Sequence, residues 1–248
     1  MVHDALREAI LQGEIGEGAW LSQVQIAKEL GTSRGPVREA FRMLQREGLI
    51  EAQVNQRARV GRFSADDLEH LYANRIVTES LAISFSVGRF TDEELAELAL
   101  ALEEMETATG DIAAWELIHR RFHLGLVRHA GERMVQVVAQ HIDHSERYRR
   151  VYITTGPRVW IVGAEEHREI FEACAARNAP LAGDLLARHL CRTALTVFML
   201  AAPEHDPALL RAAIRQTSDG SLDDQPGRRA TLVADGITST HALHSGRL

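Results

Sequence analysis

Four histidines between residues 119 and 189 lie on otherwise apolar helical stripes, where a protonatable ring is costly unless something uses it. His119 and His123 are four residues apart, a spacing that lets two imidazoles of one helix address a single ion. His167 stands among Ala164, Ile170 and Phe171, and His189 among Leu185, Leu186 and Thr193. Any one of them alone reads as a hydrogen-bonded core histidine, whereas four together read as a divalent metal site. No HExxH motif, no nucleophile beside a base and no clear general acid accompanies them, so the expected chemistry is binding rather than turnover. The alternatives are an ion of purely structural use, or a metal-dependent hydrolase. Arg34, Arg38 and Arg42 carry a second chemistry, since spacings of four stack their guanidinium groups along one helix face. Arginine donates paired hydrogen bonds to a guanine edge or grips phosphate, which makes Arg34 and Arg38 candidate base readers and Arg42 a phosphate contact. Such a stripe also describes a solvated helix, and its neighbours must decide.

Those neighbours form a recognisable unit. From Ser33 to Arg46 the chain has an N-cap serine, Pro36 in the first turn, and Val37, Ala40, Phe41 and Leu44 on one face. Upstream, Leu21 to Leu30 reads as a short helix capped by Ser22 and joined to the arginine helix through Gly31-Thr32. Two helices linked by a short glycine-containing turn make a helix-turn-helix. Residues 2–13 predict a preceding helix with Ala5, Leu6, Ile10 and Leu11 inward. After it, Gly48 to Glu51 and Arg57 to Gly61 predict the two strands of a wing.

The segment LREAILQGEIGEGAWLSQVQIAKELGTSRGPVREAFRMLQREGLIE resembles the winged helix-turn-helix of the GntR family of bacterial transcription regulators. Gly13, Leu21, Ala27, Ser33-Arg34, Pro36 to Ala40 and Glu47-Gly48-Leu49 are in register. The resemblance implies double-stranded DNA as partner and Arg34 and Arg38 as main contacts, with Ser33, Arg42, Gln56 and Arg57 as further candidates. Two departures stand out. Gln23, Val24 and Gln25 replace a frequent Glu-Arg-Glu, so one contact is lost or rewired. At the wing tip Gln56-Arg57 replaces Arg-Gly, which puts a positive side chain where bare backbone would approach the minor groove.

Beyond the wing the pattern is helical. Ser64-Ala-Asp-Asp opens a helix through Leu68, Leu71, Tyr72, Ile76, Glu79 and Leu81, in which Arg75 and Glu79 either brace the surface or face a pocket. Thr91 with Glu94 predicts a capping box for a helix to about Ala108. Gly110-Asp111 restarts one through Trp115, Ile118, Phe122 and Leu126 to Ala130, and three more follow: Glu132 to Ile153, Trp160 to Arg177, and Leu181 to Ala201. From Pro203 apolar periodicity thins, predicting a flexible tail with at most one short helix near Leu209 to Ile214.

From about Leu68 to Met199 the chain resembles the FCD ligand-binding domain of FadR-type GntR regulators. Phe122-His123 matches its D-x-x-F-H segment, EEHREIFEA carries His167, LLARHL carries His189, and RIVTESLA matches its opening segment. The resemblance implies a divalent ion, a small organic-acid effector, and a homodimer on a palindromic operator. His119 stands where the family has aspartate. A neutral imidazole in place of a carboxylate leaves the site one unit more positive, which favours an anionic effector and softer ions, zinc or nickel first, then copper, over manganese. Alternatively His119 swings away and three histidines remain. Glu116 is the expected outer partner, and Arg75, Arg147 and Tyr148 are the expected effector-binding residues. His141 and His144 have no assignable third ligand.

The bulk properties agree. A chain of 248 residues accommodates two cores, expected at 1–63 and 64–202 with a tail over 203–248. The net charge of −7 is uneven: from Met1 to Phe63 nine Lys and Arg meet eight Asp and Glu, so the surplus acid lies elsewhere. Cys174 and Cys191 make neither a disulfide framework nor a zinc motif. No membrane-length apolar run or secretion signal occurs, so a cytoplasmic location is expected. The expectation is a mainly α protein, a winged helix-turn-helix before an all-α FCD-like bundle. Its expected role is that of a sequence-specific DNA-binding repressor and not an enzyme.

Overall fold

Two separate apolar clusters organise the chain, one for each expected domain. The structure, a computed structural model, describes residues 1–51, 58–108, 110–153 and 157–217, with backbone only along 151–153 and 157–161. The first cluster is built by α1 (Val2–Leu11), β1 (Trp20–Leu21), α2 (Gln23–Glu29), α3 (Arg34–Arg46), β2 (Ile50–Glu51) and β3 (Ala58–Val60). The predicted face of α3, Val37, Ala40, Phe41 and Leu44, is buried in one cluster with Leu6 of α1 and Ile26 and Ala27 of α2. Ser22 caps α2 by accepting from the Gln25 amide. Gly31 turns the chain toward α3 at φ +60°, in the left-handed region where a Cβ is penalised. Ser33 occupies the N-cap of α3 without a side-chain cap bond, so its hydroxyl is not spent on the helix.

Three details of this module differ from expectation. Ala5 is exposed and α1 stops at Leu11, with Leu6 alone fully buried from the expected inward set. Leu21 does not open α2. It pairs with Ala58, as Trp20 pairs with Arg59, so the sheet has three strands in the order β1-β3-β2. A two-residue edge strand has no alternation for a sequence reading to find. The predicted second wing strand is present as Ala58–Val60, while Gln56 and Arg57 lie outside the described residues.

The second cluster comprises α4 (Ala65–Val87), α5 (Asp92–Thr107), α6 (Ile112–Leu126), α7 (Glu132–Ile153), α8 (Pro157–Ala175), α9 (Ala179–Ala201) and α10 (Ala208–Thr217). The starts of α4, α5, α6 and α9 are fixed by side chains: Ser64, Thr91 with Glu94 in a full capping box, Asp111 and Asn178. α4 is the central element, packed by α7, α9 and α10, and Leu68, Tyr72, Ile76, Ile83 and Val87 are fully buried along it. Gly183 lets α9 close on α4, for a Cβ there would lie 2.8 Å from Ser84 Oγ. Helix α6 ends at Leu126, four residues before its expected end at Ala130.

The expected tail is partly structured. α10 folds back onto α4 and α9 and buries Leu210 and Ala213, and Glu69 of α4 accepts from the Leu209 and Leu210 amides at 2.6 and 3.2 Å. The helical body therefore extends to Thr217 instead of ending at residue 202. Burial of one leucine, about 1.5–3 kcal/mol, and a borrowed cap hold a helix too short to persist alone. Among the described residues no strand follows β3, and no helix is long and apolar enough to cross a membrane.

Candidate metal centre and nucleic-acid surface

Helix α6 points His119 and His123 inward one turn apart, while α8 supplies His167 and α9 supplies His189. All four rings are buried, and one ligand-capable atom of each lies within 4.8 Å of the others'. His123 Nε2 stands 3.2 Å from His167 Nε2. His119 joins the other three instead of turning away, its ring stacked on Trp115 at 4.5 Å.

Carboxylates stand behind two of the rings. His189 Nδ1 lies 2.7 Å from Glu166, which also binds Arg192, and His123 Nδ1 lies 3.8 Å from Glu79. A hydrogen-bonded carboxylate such as Glu166 orients its imidazole and fixes which nitrogen faces an ion. Burial holds all four histidines below their usual pKa, with repulsion from neighbouring rings adding to it for His119, His123 and His167, and His123 is brought down to about 4. The rings are therefore neutral near pH 7, the form that binds metal. Burial alone would raise Glu79 and Glu166, but Arg75 with His123, and His189 with Arg192, draw these carboxyls down to about 2. His119 and His123 each leave a buried Nδ1 without a hydrogen-bond partner among the described residues. Converging neutral imidazoles, oriented from behind and incompletely satisfied, fit a divalent ion of borderline softness.

A buried ionic layer flanks the cluster. Arg75 is 1% exposed and donates to Glu79 at 2.6 Å and to Ser145 at 2.9 Å. The Arg75–Glu79 pair is thus interior, and the reading of it as a surface brace is corrected. Arg149 donates to Glu116 at 2.6 Å and also reaches Ser145. Glu116 therefore serves an arginine, not a histidine as expected; burial raises its carboxyl, and the Arg149 fork opposes that rise.

Arg147 and Tyr148 are directed elsewhere than their expected role requires. Arg147 donates to the Gly48 carbonyl at 3.0 Å and to Asp67 at 2.8 Å, and the Tyr148 hydroxyl donates to Asp67 at 2.6 Å. These contacts lie where the head meets the helical body. His144 binds the Arg46 carbonyl at the same junction, while His141 is half-buried with an unpartnered Nδ1. Sequence reasoning missed Glu166, Ser145 and Arg149. Glu166 adjoins His167 in the chain, but only the packing of α8 on α9 shows that it serves His189.

On the head, Arg34, Arg38 and Arg42 are exposed along α3. Arg42 pairs with Glu39 at 3.5 Å, whereas Arg34 and Arg38 make no ion pair among the described residues. Val24, at one of the positions that depart from the family pattern, is 60% exposed on α2. In the sheet, Arg59 donates to Glu51 at 2.8 Å and lies over the Trp20 ring.

Comparison with known proteins matches both halves. Residues 1–60 fit the model of bacterial regulatory proteins of the gntR family, and residues 70–192 fit that of the FCD domain. The chain is 30% identical over 191 residues to the uncharacterized HTH-type transcriptional regulator YdhC of Bacillus subtilis, covering 75% of this chain and 85% of that protein. It is 27% identical over 200 residues to the HTH-type transcriptional repressor GlaR of Escherichia coli, covering 73% and 89%. Among solved structures, Escherichia coli McbR/YncC superposes with a TM-score of 0.67 at 22% identity, over 80% of this chain and 96% of that one, a likeness of fold.

Proposed function

Because the chain belongs to the gntR family of bacterial regulatory proteins and carries an FCD domain behind its DNA-binding head, we propose that it is a metabolite-responsive repressor. It is a DNA-binding transcriptional regulator, and its relatives are regulators, not enzymes. In this reading two copies bind a palindromic operator in the cytoplasm, and a small organic acid seated at a divalent ion alters that binding. The observation that carries it is the convergence of His119, His123, His167 and His189 as buried imidazoles. A divalent ion held there supplies a Lewis-acidic centre for a carboxylate oxygen. The four side chains would hold it, with Glu166 orienting His189 and Glu79 facing His123, and four nitrogen donors favour zinc or nickel. Arg34 and Arg38, exposed and without an ion pair among the described residues, are the base-reading candidates, and Ser33 and Arg42 the phosphate contacts. Val77, Leu81 and Phe85 form an exposed apolar row at spacings of four on α4, suited to a second copy of this chain. Leu81→Glu is expected to leave the protein monomeric in sedimentation, and an unchanged dimer removes this face from consideration.

Four nitrogen donors also fill a four-coordinate zinc shell, which favours a structural ion as the second reading. Elemental analysis and operator titration separate the two. The effector reading expects about one zinc or nickel per chain, and operator affinity that changes with an organic acid only in metal-loaded protein. If chelation unfolds the protein and no acid alters operator affinity, the ion is structural.

A further inference from the structure

Tyr72 is fully buried on α4, and its hydroxyl has no hydrogen-bond partner among the described residues. A buried hydroxyl left unpaired carries its full desolvation cost, so such a group in a folded protein awaits a partner. Its surroundings are ionic. The Arg75 guanidinium lies over its ring at 5.1 Å. Arg75 and Arg149 both donate to Ser145, and Arg75 pairs with the Glu79 that faces His123. Tyr72 precedes Glu79 by two helical turns, about 10.5 Å along the axis. The phenol thus belongs to the same polar layer as the histidine cluster, displaced from it along α4.

Among the described residues the charges of that layer pair off. Arg75 faces Glu79, Arg149 faces Glu116 and Arg192 faces Glu166, while ligating imidazoles are neutral. A divalent ion would add two positive charges that none of these groups neutralises, in an interior where uncompensated charge is costly. From the orphaned hydroxyl and this imbalance we infer that the effector is a dicarboxylate. One carboxylate is seated at the ion, and the other accepts a hydrogen bond from the Tyr72 hydroxyl beside Arg75. The inference rests on the metal-and-acid reading above and specifies its ligand.

Calorimetry on the metal-loaded full-length protein tests it with chain-matched probes: succinate against butyrate, and adipate against hexanoate. At least one diacid is expected to bind about tenfold or more tighter than its monoacid. Tyr72→Phe should abolish that preference while leaving monoacid affinity and metal content unchanged and Tm unchanged or raised, since it removes an unpaired hydroxyl. A preference that survives Tyr72→Phe overturns the assignment and leaves an internal water as the partner of the hydroxyl. Equal binding within each pair overturns the dicarboxylate but leaves the metal-and-acid reading standing. Absence of acid binding to metal-loaded protein ends both.

Discussion

Glu166 binds His189 through Nδ1, leaving Nε2 as the nitrogen that ring can offer an ion. Glu166→Gln keeps the shape and removes the charge. It is expected to lower metal affinity about 10–100-fold, measured by competition with a chromogenic chelator, while helix content stays the same. Unaltered affinity would reduce Glu166 to a partner of Arg192. On α3 the two kinds of arginine contact separate in the same way. Arg38→Ala should cost about 1–3 kcal/mol of operator binding and relax base preference at one position. Arg42→Ala should weaken binding to every sequence alike and shallow the salt dependence by about one unit of slope, readable by fluorescence anisotropy across salt concentrations. If both variants lose the same affinity on operator and random DNA, Arg38 reads no base.

Among the elements, α10 shows how a weak local signal becomes a fixed structure. Its apolar anchors are few, and its first amides are satisfied by Glu69 of α4, which also accepts from His205 at 2.7 Å. Burial raises the Glu69 carboxyl, but His205 and the Leu209 and Leu210 amides outweigh it, so its folded pKa lies below the ordinary carboxylate value. Stability from a depressed acid is fully present above the unfolded pKa and is lost as pH falls through the folded one. Glu69→Gln should therefore remove about 1–3 kcal/mol at neutral pH and much less in acid. Hydrogen exchange of the α10 amides reports it directly, and equal protection in both proteins at pH 7 would show that Leu210 alone docks the helix. The sequence marked a short helix at Leu209 to Ile214 but gave no sign of its cap, because that cap is about 140 residues away in the chain.

For the molecule as a whole, α7 joins the two halves. Ser145 and Arg149 face the ionic layer beside the histidines. On the other side Arg150 donates to Glu8 at 3.1 Å, Glu146 binds Arg7, and Arg147 holds the Gly48 carbonyl. A displacement of α7 is therefore felt at both α1 and the turn after α3. Glu146→Ala leaves Arg7 without one of its carboxylates and loosens Arg150, which also binds Glu146. Differential scanning calorimetry is expected to resolve one cooperative transition into two, the head melting first. A single transition at the original temperature would mean that the remaining contacts suffice to lock head and body together.

What the sequence determined by itself is what neighbours along the chain decide. The periodicity of Val37, Ala40, Phe41 and Leu44, the Thr91–Glu94 box and the arginine spacing act over one or two turns, so they survive as written in the structure. The histidines were legible as a set through their apolar settings and a family resemblance, and His119 through its position alone. Only the tertiary structure decided which carboxylate serves which ring, that Glu116 belongs to Arg149, and that Tyr148 faces Asp67. It also left the Tyr72 hydroxyl without a partner among the described residues. These are contacts between helices distant in sequence, set by which faces pack together and how closely, and side-chain spacing within one helix does not encode them.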